Sequence, residues 1–145
     1  MGSRALVAGQ ICAQGGGVGP RIVIVDDDRD LREALHELLA AMGYEVEAFA
    51  LASEAIERHG EGGFEIALVD LSLQEIGGLE LVRHLRALSV DLGILVYSGR
   101  HDLRQAALDA GCDRFILKPS VDELQKALEE WPWSRVDEAC RKIQN

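Results

Sequence analysis

RIVIVDDDRDLREALHELLAAMG, residues 21–43, is the stretch on which the fold turns. Its first five residues, RIVIV, are almost wholly β-branched and apolar, as in a short strand buried on both faces. From Leu31 the period changes. Leu31, Leu35, Leu38, Leu39 and Met42 recur at helical spacing, and Gly43 suits the position just past a helix end. A strand thus passes directly into a helix, and three consecutive aspartates, Asp26, Asp27 and Asp28, crowd the junction despite their mutual repulsion.

The same alternation continues down the chain. YEVEAFA (44–50) alternates like a strand, SEAIERHG (53–60) reads as a helix opened by a capping-type Ser53 and closed by Gly60, and the overlapping ERHGEGGFE (57–65) reads most simply as a solvated loop. FEIALVD (64–70) is a buried strand, GLELVRHLRAL (78–88) a helix, GILVYS (93–98) a strand, DLRQAALDAG (102–111) a helix and RFILK (114–118) a strand. SVDELQKALEEW (120–131) is a helix capped by Ser120, and Pro132 should interrupt it. Five strand–helix units in a row predict an α/β fold, a doubly wound five-stranded parallel sheet with five helices on its two faces. Residues 21–131 form the expected domain, residues 1–20 a flexible tail, and residues 132–145 a short C-terminal extension. The GGGVGP run of the tail precedes the first strand, whereas a phosphate-cradling glycine loop follows one.

Composition narrows the class of function. The 145 residues are 48% hydrophobic, enough for one domain with its own core. A net charge of −10, from 25 acidic and 15 basic residues, is a poor match for nucleic acid or an anionic membrane surface. No apolar run approaches the ~20 residues that span a bilayer, and the first residues lack the pattern of a signal peptide, so a cytoplasmic protein is expected. Cys12, Cys112 and Cys140 have neither disulfide nor zinc spacing. His36, His59, His84 and His101 are scattered and form no cluster.

In open parallel sheets ligands bind beyond the carboxyl ends of the strands. The residues at those ends are Asp26 and Asp27 on the first strand, Asp70 on the third, Ser98 on the fourth, and Lys118 with Pro119 on the fifth. Two carboxylates ~4 Å apart repel by about 4 kcal/mol at an effective dielectric near 20, so three together call for a counter-ion or raised pKa values. A hard cation such as Mg²⁺ fits an oxygen-only set, and the absence of His or Cys argues against zinc. With the metal on Asp26 and Asp27, Asp70 can act as a nucleophile on phosphorus, while Lys118 offsets the developing charge and Ser98 donates a hydrogen bond.

IVIVDDDRDLREAL, FEIALVDLSLQEIGGLELV, ILVYSGR and AGCDRFILKP, taken in order, resemble the receiver domain of two-component response regulators over roughly residues 21–131, in its single-domain, chemotaxis-regulator-like form. The resemblance implies the flavodoxin-like strand order 2-1-3-4-5 and a phosphorelay function. It makes Asp70 the phosphoacceptor, Asp27 a direct Mg²⁺ ligand, Asp26 its acidic partner and Ser72 the contributor of a backbone carbonyl to the metal. Ser98 matches the switch hydroxyl, Lys118 the lysine paired with the acidic site, and Phe115 the aromatic switch, while Arg100 and Ser72 match positions that tune phosphoryl lifetime. Many Lys-Pro bonds at this place are cis. Asp28 matches a variable position and is expected to cap the first helix. Gln74 and Glu75, where many receivers have proline, imply a more mobile loop.

Such a domain is not an enzyme in the ordinary sense, although it catalyses its own phosphorylation and dephosphorylation. The phosphodonor is a sensor histidine kinase, a phosphotransfer protein or a small acyl phosphate. With no DNA-binding motif after Trp133, output is expected through protein contact at helix 4, strand 5 and helix 5, where Arg104, Asp109, Asp113, Arg114, Lys126 and Glu130 decorate the surface. Family dimers use this region, which leaves a homodimer open. Two other classes compete: a pseudo-receiver that binds without phosphate, and an aspartate-dependent phosphohydrolase. The latter usually needs a second Asp where Ser72 stands.

Overall fold

The computed structural model describes residues 19–73 and 76–133. The expectations for most of the N-terminal tail, for Gln74 and Glu75, and for residues 134–145 lie outside them. Among the described residues the elements are β1 (Arg21–Val25), α1 (Arg29–Ala41), β2 (Glu45–Phe49), α2 (Ala52–Glu61), β3 (Ile66–Val69), α3 (Gly78–Leu88), β4 (Gly93–Ser98), a single 3₁₀ turn (His101–Leu103), α4 (Arg104–Ala110), β5 (Arg114–Leu117) and α5 (Val121–Glu129). The strands pair in parallel in the order β2-β1-β3-β4-β5. The expected doubly wound sheet is therefore present. Among the described residues no helix is long and apolar enough to cross a membrane.

Successive strand residues face opposite sides, so the sheet carries two cores. Val23, Val25, Ile94, Val96 and Phe115 pack against α2, α3 and α4, with Leu81, Val82 and Leu85 as the large helical contributors. Ile22, Ile24, Ile66, Leu68, Leu95 and Tyr97 pack against Leu35 and Leu39 of α1 and Leu124 and Leu128 of α5.

The registers Val25↔Val69 and Val69↔Val96 bring the ends of β1, β3 and β4 level. Backbone bonds continue past the strands: Asp26 N–H donates to the Phe49 carbonyl (3.1 Å), Asp70 N–H to Val25 (2.9 Å) and Lys118 N–H to Ser98 (2.9 Å). Each strand-terminal side chain is thus set by the ladder itself.

Helix ends show where tertiary packing overrides local preference. Asp28 caps α1 as expected, accepting from Leu31 N–H at 3.3 Å, and Gly43 follows the helix with φ of 102°. Helix α2, by contrast, opens at Leu51 and not at Ser53. Ala52 is fully buried, and docking it draws the start two residues back, where Glu54 accepts the Leu51 N–H at 3.2 Å. The helix also runs through Gly60 to Glu61, so the expected stop at Gly60 and the loop reading of 57–61 are corrected. The single helix expected over 102–111 is divided, because Leu103 N–H bonds to the Arg100 carbonyl at i−3 before α4 begins. Ser120 stands at the start of α5, but its hydroxyl makes no capping bond; Asp122 and Glu123 in the first turn suit the helix dipole instead.

Asp113 is the largest departure from the surface reading. Its side chain is 7% exposed and pairs at 2.8 Å with Arg86, itself 18% exposed. Asp113 also accepts the Ile94 N–H at 2.8 Å, while Arg86 donates to the carbonyls of Leu92 (2.7 Å) and Gly111 (2.9 Å). One ion pair joins the end of α3 to the starts of β4 and β5. At the same end of the sheet Trp131 and Trp133 pack on the α1–α5 core; Trp133 Nε1 donates to the Ala127 carbonyl at 2.9 Å, and the Arg114 guanidinium lies 5.4 Å from the Trp133 ring centroid. The Lys118-Pro119 bond is cis, as the resemblance implies.

Gly78 is required by contact and not by backbone angle. A Cβ there would lie 2.4 Å from Leu71 Cα and 2.5 Å from the Asp70 carbonyl oxygen. Backbone on the facing side cannot yield as a flexible side chain can. Gly78→Ala is expected to lose about 1–3 kcal/mol, the usual cost of overpacking, in chemical denaturation; an unchanged midpoint would show that the loop after Asp70 moves freely.

Candidate functional site

At the carboxyl ends of β1 and β3, where the strand order reverses, Asp26, Asp27 and Asp70 each place a carboxylate oxygen within 4.8 Å of the others. Asp26 is 2% and Asp70 6% exposed, and Asp27 is more open. Asp28 is exposed and turned to its capping role. The triplet therefore divides into two site residues and a cap. Only oxygen donors face one another here, a set suited to a hard divalent cation.

Lys118 ties the cluster together. Its Nζ lies 3.0 Å from Asp26 Oδ2 and 3.4 Å from Asp70 Oδ1. It also sits 5.8 Å from the centroid of the Tyr97 ring. Burial raises the Asp70 carboxyl above its ordinary value and the neighbouring Asp26 charge raises it further, against the lowering effects of Lys118 and a hydrogen bond from the Ser72 backbone. Burial alone would lower Lys118, but Asp26 and Asp70 outweigh it and hold its ammonium above the usual lysine range. The site thus keeps a fixed cation against an acidic cluster whose third member is held at a cost.

Ser98 is fully buried at the end of β4, and its Oγ accepts the Arg100 N–H at 3.1 Å. The Arg100 side chain turns outward to Asp102, with Nη2 to Oδ2 at 2.9 Å. Ser72 follows Asp70 by two residues in an exposed position. Phe115 is 8% exposed, in the α2–α4 core, with the Arg104 guanidinium 5.9 Å from its ring centroid. The structure gathers Asp26, Asp27, Asp70 and Lys118 directly, and places Ser98 and Phe115 in the interior on the two strands beside them.

Two residues of the site were not singled out by sequence. Gly78 lets α3 close against the carbonyl of Asp70. Arg32, one turn into α1, donates from Nη1 to the Asp26 carbonyl at 2.8 Å. Neither carries a motif; only the fold brings Gly78 against residue 70, and an arginine on an amphipathic helix is ordinarily a solvated charge.

Comparison with known proteins agrees with this geometry. The family model described as the response regulator receiver domain matches residues 22–129. The response regulators MprA of Mycobacterium sp. strain KMS and of Mycobacterium ulcerans strain Agy99 are 38% and 39% identical over 107 residues, covering 72% of this chain. The chain spans 46% of the length of those relatives. Among solved structures, the response regulator TrrA of Thermotoga maritima, in complex with Mg²⁺ and BeF, superposes with a TM-score of 0.72 at 27% identity over 77% of this chain and 98% of that one. A CheY-like receiver domain protein from Methanospirillum hungatei gives 0.70 at 32% identity over 76% and 91%. The chain belongs to the response regulator receiver domain family of two-component systems, in which phosphorylation on aspartate, Mg²⁺ binding and exchange with histidine kinases or phosphotransfer proteins are general features.

Proposed function

We propose that this chain is a phosphoacceptor that takes a phosphoryl group on Asp70 in a Mg²⁺-dependent reaction and thereby changes a protein-binding face. The observation that carries the reading is the cluster of Asp26, Asp27 and Asp70 within 4.8 Å, bridged by Lys118 at 3.0 and 3.4 Å. Asp26, Asp27, Asp70 and the Ser72 carbonyl are the groups that would hold Mg²⁺, which when bound supplies charge neutralisation for phosphoryl oxygens.

The chain's own residues carry the rest. A carboxylate oxygen of Asp70 attacks phosphorus and forms the P–O bond while the bond to the donor breaks; the leaving group is imidazole, which keeps the bond pair and is protonated, or acetate from acetyl phosphate. Lys118 is already placed to offset the charge that Asp70 gains. Ser98 has its Oγ engaged as an acceptor, so its hydroxyl proton is the group that can turn to a phosphoryl oxygen. Phe115 and Ser98 lie on adjacent strands, and movement of one repacks the other; that is the switch role given to Phe115. The responding face is α4, β5 and α5, with Arg104, Asp109, Lys126 and Glu130 exposed on it. Arg114 is half-buried beneath Trp133, and Asp113 belongs to the interior pair. A sensor histidine kinase or phosphotransfer protein upstream, a protein target or second copy downstream, a cytoplasmic location and a receiver unit of residues 21–131 complete the reading.

Incubation with acetyl phosphate and MgCl₂ is expected to add one phosphoryl group by intact mass, and chelation with EDTA to prevent it. A wild-type protein that takes up none under conditions where it is folded would favour the pseudo-receiver.

A further inference from the structure

We infer that Arg32 is a positioning residue for the cation site: it clamps the peptide between Asp26 and Asp27 so that both carboxylates face the ion. The inference rests on the metal role proposed for those aspartates. The Asp26 backbone is fixed at both ends, its N–H by the Phe49 carbonyl at 3.1 Å and its carbonyl by Arg32 Nη1 at 2.8 Å. Its carboxylate is likewise held on both oxygens, Oδ1 by Asp28 N–H at 2.9 Å and Oδ2 by Lys118 at 3.0 Å. Among the described residues the Asp27 side chain has no hydrogen bond or ion pair, so its direction depends on the plane of the peptide before it.

Arg32 sets that plane from a rigid support. Its own N–H bonds to the Asp28 carbonyl at 2.9 Å in the first turn of α1, the turn capped by Asp28. The loop from Asp26 to Arg32 is thereby closed by four hydrogen bonds, and the arginine side chain is the one that reaches back to the peptide joining the two aspartates. A guanidinium is suited to this, because it stays charged and its planar donors are pre-organised.

Charge alone predicts the opposite sign from positioning. A cation beside a triad of carboxylates opposes a second cation, so if Arg32 acts only through its charge, its removal tightens Mg²⁺ binding. Partners that orient metal ligands typically cost about tenfold or more in metal affinity when removed. Arg32→Met keeps the apolar stem and removes both charge and donors.

The test is a titration of the full chain with MgCl₂, following backbone amide shifts of Asp26, Asp27 and Asp28 by NMR. Arg32→Met is expected to raise the Mg²⁺ midpoint about tenfold while the amides of β4 and β5 keep their wild-type positions. A midpoint equal to or below the wild-type value overturns the inference, including the case in which only the melting temperature without Mg²⁺ falls. Should Arg32→Met fail to fold, Arg32→Lys, which keeps the charge but shortens the stem, is read by the same criterion. Wild-type protein with no Mg²⁺ response overturns the inference by a separate route, since it removes the metal site on which Arg32 would act.

Discussion

Asp70→Asn is expected to accumulate no phosphoryl adduct from acetyl phosphate and Mg²⁺, and to melt above the wild-type protein at neutral pH. The first effect follows from chemistry, because a carboxamide has neither the charge nor the nucleophilic oxygen of a carboxylate. The second follows from the site's electrostatics. Burial and the adjacent Asp26 raise the Asp70 carboxyl above its ordinary value of 3.8. A carboxyl raised in the folded state favours folding fully below its unfolded value, and that contribution is lost as pH rises through the folded one. At neutral pH the wild-type protein has lost it, and the variant has nothing to lose. Lys118 keeps its 3.0 Å contact with Asp26 in the variant, so removing the Asp70 charge does not strand the ammonium.

A gain of ~1 kcal/mol would raise Tm by about 3–5 °C in a domain of this size. Measured without Mg²⁺, the gap between variant and wild type should widen from pH 4 to pH 8. An adduct of wild-type yield on the variant would remove Asp70 from the chemistry, and a gap independent of pH would remove the electrostatic cause.

Asp113→Ala should be the most damaging substitution away from the acidic cluster. It leaves the Arg86 guanidinium, 18% exposed, without its carboxylate and the Ile94 N–H without its 2.8 Å acceptor. Breaking a buried pair by removing one partner costs about 3–5 kcal/mol. A domain has only ~5–15 kcal/mol in total, so the variant should be partly unfolded at 37 °C or close to it. Arg86→Met should cost a similar amount, because four backbone carbonyls, those of Ser89, Val90, Leu92 and Gly111, lose their shared donor. The two losses should not add, since each removes the same interaction. Urea denaturation of both single variants and the double variant tests this; strict additivity would mean that Arg86 and Asp113 act independently.

The sheet was legible because each strand is bounded by its own punctuation. GILVYS and GLELVRHLRAL coincide with β4 and α3 residue for residue, each opened by glycine and with a uniform period. The aspartates, Ser98 and Lys118 were legible for a related reason: a polar residue closing a buried strand stands out against the apolar run before it. Residues whose role depends on a distant neighbour were not legible. Asp113 looks like a turn residue until β5 pairs with β4 and brings it to Ile94, and Ser53 looks like a cap until Ala52 is buried. Arg32 belongs with them, since its partner is a backbone carbonyl that no side-chain pattern encodes.

Trp131 and Trp133 are the chain's two tryptophans, and both pack at the Gly93 end of the sheet, where a Cβ on Gly93 would lie 2.7 Å from Trp131 Nε1 and 2.9 Å from the Trp133 ring. The acidic cluster lies at the other end, about 16 Å away by the rise of a five-residue strand step. Tryptophan emission, excited selectively over that of Tyr97 beside Lys118, therefore comes from a region that no ion at the aspartates touches directly. A change in tryptophan emission on adding Mg²⁺ or a phosphodonor must have been relayed through the strands or through α5, so the tryptophans separate a signal carried across the fold from one confined to the ligand's own surroundings.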